Sequence, residues 1–180
     1  MKIIISLLLF LLIIQLTGCI IIHTVSYEVN VNEDGTGKAI VKVDDINTDS
    51  KTEEVMQEDA NNVLEYGLKS QEWLDGMEAE GKKVVSRNLI VEDGKLNAVV
   101  SYEFSDISTV EGMQFEDPYF YLTILPEDSI ISTNGQVTKN SQYQRIIWDK
   151  SIKTIKFKMY SDDTSKEGLT SLTKFYLKEK

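Results

Sequence analysis

One cysteine, one histidine and two prolines are all that this 180-residue chain carries of those three types, and each shortage closes a line of chemistry. A lone Cys19 cannot form an intramolecular disulfide, so the fold must be held by packing. One Cys and one His fall short of the ligand set that zinc and the other transition metals need. A Ser-His-Asp hydrolase would have to use His23, four residues past Cys19 and read here as a solvated linker residue. Gly35-Thr36-Gly37 lacks the strand-to-helix setting and the Lys-Ser/Thr that a phosphate loop requires. No catalytic residue, metal or cofactor is therefore expected. With Pro118 and Pro126 far from any repeat or low-complexity tract, nothing divides the chain, and one domain is expected. Positive charge is also scarce: 19 Lys and Arg stand against 29 Asp and Glu. Such a surface is repelled by nucleic acid and by anionic headgroups, so no nucleic-acid partner is expected.

The long apolar run at the start carries most of the information about location. Lys2 is a minimal positive n-region, Ile3–Ile14 is apolar but for Ser6, and Leu16-Thr17-Gly18-Cys19 places small residues before the cysteine. That order of charge, short apolar helix and small-residue site defines a signal peptide. With cysteine following it, the segment resembles the lipobox signal peptide of bacterial lipoproteins. The resemblance implies cleavage between Gly18 and Cys19, attachment to the Cys19 thiol of one lipid group bearing two acyl chains such as palmitate, and acylation of the new amino group. Three other readings stand beside it. Ile3 to Ile22 is long enough for an uncleaved anchor, a secretory signal could be cut elsewhere, and a buried core helix would need a polar face that this run lacks.

Under the lipoprotein reading, residues 1–18 are the signal peptide, 19–24 a short lipidated tether and 25–180 the domain. Removing Lys2 leaves 18 basic against 29 acidic side chains, a net charge of −11, so the acyl chains on Cys19 and not surface charge must hold the membrane. The tether keeps the domain within roughly 20 Å of the bilayer. The place is the cell envelope, lipid-anchored: the periplasmic side of the outer membrane in a two-membrane cell, because Ile20 is not the Asp of an inner-membrane retention signal, or the outer face of a single cell membrane.

Along the mature chain, hydrophobic period decides the elements. Tyr27, Val29 and Val31, then Ala39, Val41 and Val43, alternate with polar residues around Asp34-Gly35, which predicts a hairpin. Asp49-Ser50 with Glu53 and Glu54 predicts a helix start, and Met56, Ala60, Val63 and Leu64 keep helical spacing up to a stop at Gly67. A second helical piece begins near Ser70, with Trp73, Leu74 and Met77 on one face, and ends at Gly81. Val84 to Phe104 returns to a period of two around Asp93-Gly94, a second hairpin. After a mixed connection, Tyr119–Leu125 and Ile130-Ile131 read as strands, with a turn at Asn134-Gly135. Arg145–Trp148 and Ile152–Tyr160 flank Asp149-Lys150-Ser151 as a third hairpin. Asp162, Asp163 and Ser165 are cap candidates for a closing amphipathic helix with Leu169, Leu172 and Phe175 or Tyr176 as its stripe. Hairpins without a βαβ crossover predict an α+β fold: a mainly antiparallel sheet with one face under helix and the other partly wet.

Candidate sites are few. Asn30 to Gly35 is close to the start of an EF-hand loop, but its first residue is Asn, its twelfth is Val41 and its flanks are strands, so a hairpin turn explains it better. Asp44-Asp45, Glu53-Glu54 and Asp162-Asp163 read as solvated faces or helix caps, with a weak divalent-ion site as the alternative. The aromatic groups Tyr119-Phe120-Tyr121 and Phe175-Tyr176 read as core rather than as a sugar platform. The apolar residues of the Val110–Phe120 segment have no evident structural role, and Val110, Met113, Phe115 and Tyr119 are the candidate contacts for a protein or an apolar or lipid ligand. The alternatives are a carboxylate hydrolase using Glu103, Asp106 or Glu116, which requires a close pair with one member desolvated, and a structural lipoprotein with no ligand. Finally, the strand pair around Asn32-Glu33-Asp34-Gly35-Thr36-Gly37, the helix after it and the hairpin running into Tyr102-Glu103-Phe104-Ser105-Asp106 resemble LppM-type bacterial lipoprotein domains. That resemblance implies an α+β envelope domain that binds lipid or glycolipid and brings no catalytic residue. The acidic chain itself runs against contact with an anionic glycolipid.

Overall fold

The computed structural model describes residues 19–160 and 167–179. Residues 1–18, expected from the sequence to be a signal peptide and including Gly18, and the cap candidates Asp162, Asp163 and Ser165 lie outside the described residues. The fold is α+β and antiparallel throughout its ladders. It begins with the expected hairpin, β1 (Ile20–Val31) and β2 (Gly37–Thr48), paired from Ile20↔Thr48 to Val31↔Gly37. Its turn closes with Asn32 N–H donating to Thr36 O at 2.8 Å, while Gly35 takes φ +82°, open to glycine without cost. Strand β1 starts earlier than the tether expected at residues 19–24. Ile20-Ile21-Ile22 are β-branched, fit a pleated surface, and pair directly with β2.

Helix α1 (Glu53–Leu64) follows, capped by Thr52, whose Oγ1 accepts from Val55 N–H, and not by Asp49-Ser50. Ser50 is instead buried, and its hydroxyl donates to the buried Asp59 carboxylate at 2.8 Å, as does that of Thr48. A buried carboxylate must be hydrogen-bonded, and this pairing ties α1 to the end of β2. The helix does not stop at Gly67 but at Leu64, where a π-helical turn (Glu65–Lys69) leads to α2 (Gln71–Ala79), capped by Ser70 and closed by Gly81 at φ +80°. Strands β3 (Lys82–Glu92) and β4 (Lys95–Phe104) form the second hairpin as the alternation requires.

A 3₁₀ turn (Ile107–Thr109) precedes β5 (Gln114–Glu116), β6 (Tyr119–Ile124), β7 (Ile130–Thr133), β8 (Gln136–Lys139), β9 (Gln144–Asp149) and β10 (Thr154–Tyr160). Here the structure departs from the third expected hairpin: β9 and β10 do not pair. Strand β9 lies between β6 and β8, whereas β10 lies between β1 and β7. The result is two sheets, β3-β4-β2-β1-β10-β7 and β5-β6-β9-β8, with the short β11 (Thr170–Ser171) continuing the outer side of β2. Both β9 and β10 alternate because both point into one core from opposite sheets. Trp148 of β9 meets Phe157 of β10 at 5.7 Å between ring centres. Alternation specifies the buried face and is silent about the neighbour.

That core also takes Val29, Ala39, Tyr102, Phe104, Leu122, Ile146 and Ile155. A second core at the other end of the same sheet face packs Ile46, Leu89 and Leu96 against Ala60 of α1 and against Leu172, Phe175 and Tyr176 around the closing helix α3 (Thr173–Glu179). Register places Ala39, Val41 and Val43 opposite Tyr102, Val100 and Ala98, so one continuous face carries both cores. The expected helical cover therefore takes half of that face, and the second sheet takes the rest. Among the described residues no helix is long and apolar enough to cross a membrane.

Candidate functional site: an apolar cleft with an acidic rim

At the end where β1 turns into β2, four loops meet: Asn32–Gly35, Asp106-Ile107, Phe115–Phe120 around Asp117, and Asp149–Lys153. They enclose a cleft of about 830 Å³, within the size range of small-ligand sites. Its floor is apolar, made by Val31, Ile107, Phe115, Phe120 and Ile152. Phe115 and Phe120 sit opposite each other in the β5–β6 pair, their rings 4.7 Å apart. Phe120 is buried, but β5 is an edge strand three residues long, so Phe115 has nothing beyond it and stays 49% exposed. Phe115 is thus the part of the apolar floor that packing leaves most open to solvent.

The rim is charged. Glu33, Asp34, Asp106, Asp117 and Asp149 face Lys150 and Lys153, an excess of three negative charges. Lys150 is spent on Asp117 at 2.6 Å, and Lys153 reaches Glu33 only at 4.0 Å. Hydrogen bonds from Thr36, Ser108 and Ser151 hold the carboxyls of Asp34, Asp106 and Asp149 below the usual carboxylate range. Each is a turn in which the side chain accepts a backbone N–H two residues on, at 3.1, 2.7 and 2.9 Å respectively. These three groups are thus fixed in place as charged acceptors.

The residues singled out from the sequence divide three ways. Val110 and Met113 are fully buried in the first core and have no surface to offer a ligand; the tight turn at Glu111 and Gly112, both at positive φ, folds them inward. Their apolar character is accounted for by packing. Phe115 lines the cleft. Tyr119, 47% exposed, points away from the cleft into a shallower depression of about 320 Å³, shared with Tyr121, Arg145 and Ile147 on the outer face of the second sheet. There Arg145 stacks on Tyr121 at 4.5 Å and on Tyr143 at 5.0 Å. Of Tyr119-Phe120-Tyr121, therefore, only the central residue is core. Phe120 and Val31, expected from the sequence as core and strand residues, also line the cleft, and Ile107 and Ile152 join them; no signal in the chain groups these four, because their turns lie up to about 120 residues apart and read locally as ordinary hairpin ends.

Glu103, Asp106 and Glu116 are all exposed and line three different depressions, so no close pair with a desolvated member exists among them. The strongest perturbations fall on Tyr27 and Tyr102, whose phenols are pushed up by burial and by the neighbouring Glu111 carboxylate. That direction makes them inert donors. The Asn30–Gly35 turn spends Asp34 on Thr36, and among the described residues no three His, Cys, Asp or Glu side chains stand together as metal ligands.

Cys19 is exposed at the opposite end of β1. Its backbone N–H donates to Asp49 Oδ1 at 2.8 Å, and Asp49 N–H returns a bond to Cys19 O at 3.3 Å. The 12 residues of β1 separate it from the cleft by about 40 Å at 3.3 Å per residue. Comparison of the chain with protein-family models, with curated proteins and with solved structures finds no match.

Proposed function

We propose that the chain is a bacterial lipoprotein of the cell envelope, anchored through acyl chains on Cys19 after cleavage behind Gly18, and that it is a non-catalytic binding module whose site is the cleft at the far end of β1. Kinship with LppM-type lipoprotein domains belongs to the same proposal. The observation that carries it is the placement of two features along one strand: an exposed cysteine at the residue before β1, and an apolar cleft at its far end. Because β1 begins at Ile20, a lipid on Cys19 would be attached directly to the sheet, with no flexible spacer. The Asp49 carboxylate then has a role as well. It accepts from the Cys19 nitrogen, which is the group that cleavage would free and acylation would convert to an amide, still able to donate. The separation of about 40 Å sets the cleft away from the anchoring bilayer, facing whatever the envelope compartment supplies.

The test is the intact mass of protein extracted from membranes, wild type beside Cys19→Ala. The expected mass is that of a chain beginning at Cys19 plus acyl groups, absent from the variant. A full-length unmodified chain in the membrane fraction would mean that Ile3–Ile22 is an uncleaved anchor and would overturn the lipoprotein reading.

A further inference from the structure

We infer that the cleft takes a cationic, partly apolar peptide segment: a short stretch of chain carrying lysine or arginine on either side of an aliphatic or aromatic side chain. The inference rests on the binding reading above and narrows it. An apolar floor alone would suit a lipid tail or any hydrophobic side chain. The rim decides between them. Five carboxylates against two lysines, which pair with Asp117 and, at 4.0 Å, with Glu33, leave three uncompensated negative charges around an opening whose floor is Phe115, Phe120, Ile107, Val31 and Ile152. A ligand that is only apolar leaves those charges unanswered, and an anionic lipid headgroup is repelled by them. A cationic segment satisfies both parts, its apolar side chain against Phe115 and its charges against the carboxylates of Asp34, Asp106 and Asp149. These three carboxylates are already oriented by their own turns, so a ligand does not have to order them. A peptide is favoured over a lipid of the anchoring membrane for a second reason: the cleft lies a full strand length from Cys19.

The experiment uses the full chain extracted from membranes in a neutral detergent, titrated calorimetrically with three blocked pentapeptides of alternating sequence: lysine with leucine, serine with leucine, and glutamate with leucine. The lysine peptide is expected to bind at least tenfold more tightly than either other, and to weaken several-fold between 50 and 300 mM salt. Two variants locate the site. Phe115→Ser removes an exposed side chain and should abolish binding while leaving the fold, read by circular dichroism, unchanged. Lys153→Glu adds negative charge to the rim and should tighten binding several-fold, a gain that misfolding cannot produce. Equal binding of the serine peptide would overturn the inference and leave the binding reading standing. Absence of binding by all three would overturn the inference and leave the binding reading to a ligand that is not a peptide. A lysine peptide that binds equally to the Phe115→Ser and Lys153→Glu variants sits elsewhere on this acidic surface, and the inference falls.

Discussion

Phe115 and Phe120 show how little residue type says about role. They are the same amino acid five positions apart, paired across two strands and in ring contact, yet one is core and the other is surface. Phe120→Ala should cost about 3 kcal/mol, the loss expected for emptying a buried aromatic site. Phe115→Ser should cost under about 1 kcal/mol, because much of its ring is already in water. Urea unfolding of the two variants checks the contrast, and equal losses would place Phe115 in the core. Asp44 supplies a pH dependence at the same scale. Burial pulls its pKa up, but hydrogen bonds from Lys158 and Thr24 and the nearby charge of Lys42 pull it further down, so the folded value lies below the ordinary one. A depressed folded-state carboxylate stabilises above its unfolded pKa, and the contribution is lost as pH falls through the folded value. The urea midpoint should therefore drop below about pH 4, and Asp44→Asn should flatten that drop while lowering the midpoint at pH 7. A variant with an unchanged acid limb would remove Asp44 from the acid response.

Among the elements, the two corners between sheets carry the architecture. Residues 133–136 pass the chain from β7 in the larger sheet to β8 in the smaller, and residues 149–154 pass it back from β9 to β10. Asn134 clasps the first corner: its Oδ1 accepts from Trp148 Nε1 at 2.9 Å and from Lys156 N–H at 2.8 Å, and its Nδ2 donates to Thr154 O at 2.8 Å. One side chain thus joins β9 to β10, the pair that never hydrogen-bond as strands. Gly135 lies so close beneath them that an added Cβ would stand 2.6 Å from Trp148 Nε1 and 2.8 Å from Ile147 O. Gly135→Ala should lose about 2 kcal/mol through forced displacement at this corner. Gly67→Ala, which meets nothing within 4 Å, should be neutral or mildly stabilising within its helical turn. Equal effects of the two in thermal melts would contradict this account of the corner.

For the whole molecule, the inner face of the larger sheet is shared by both cores, one roofed by the second sheet and the other by α1 and α3. Val41 and Val43 of β2 are neighbours two residues apart that pack against different cores, as do Val100 and Ala98 of β4. Neither core can lose its floor without disturbing the other, so unfolding should be cooperative. In a Trp73→Phe background, the fluorescence of Trp148 reports the sandwiched core while far-ultraviolet dichroism reports mainly the helices. The two urea transitions should coincide. A Trp148 transition at lower urea than the helical one would mean that the sheets separate first and that the cleft belongs to an independently opening unit.

The amino-acid sequence by itself determined the local and the periodic features. Asp34-Gly35 and Asp93-Gly94 fix two hairpins because a tight turn between alternating runs has few alternatives. Ser70 and Gly81 bound a helix by capping, and the alternation of Ile155, Phe157 and Met159 names a buried face. The α+β class follows from those pieces. Partner choice was decided only in three dimensions: β9 and β10 carry the pattern of a hairpin, and they face each other across a core instead, because alternation fixes orientation and leaves the neighbour open. The same holds for the cleft. Val110 and Met113 have the composition of ligand contacts and are core, whereas Val31, Ile107, Phe115, Phe120 and Ile152 form a floor only where four turns distant in sequence are brought to one end of the fold. A cavity is a property of what surrounds it, and long-range packing alone assembles those surroundings.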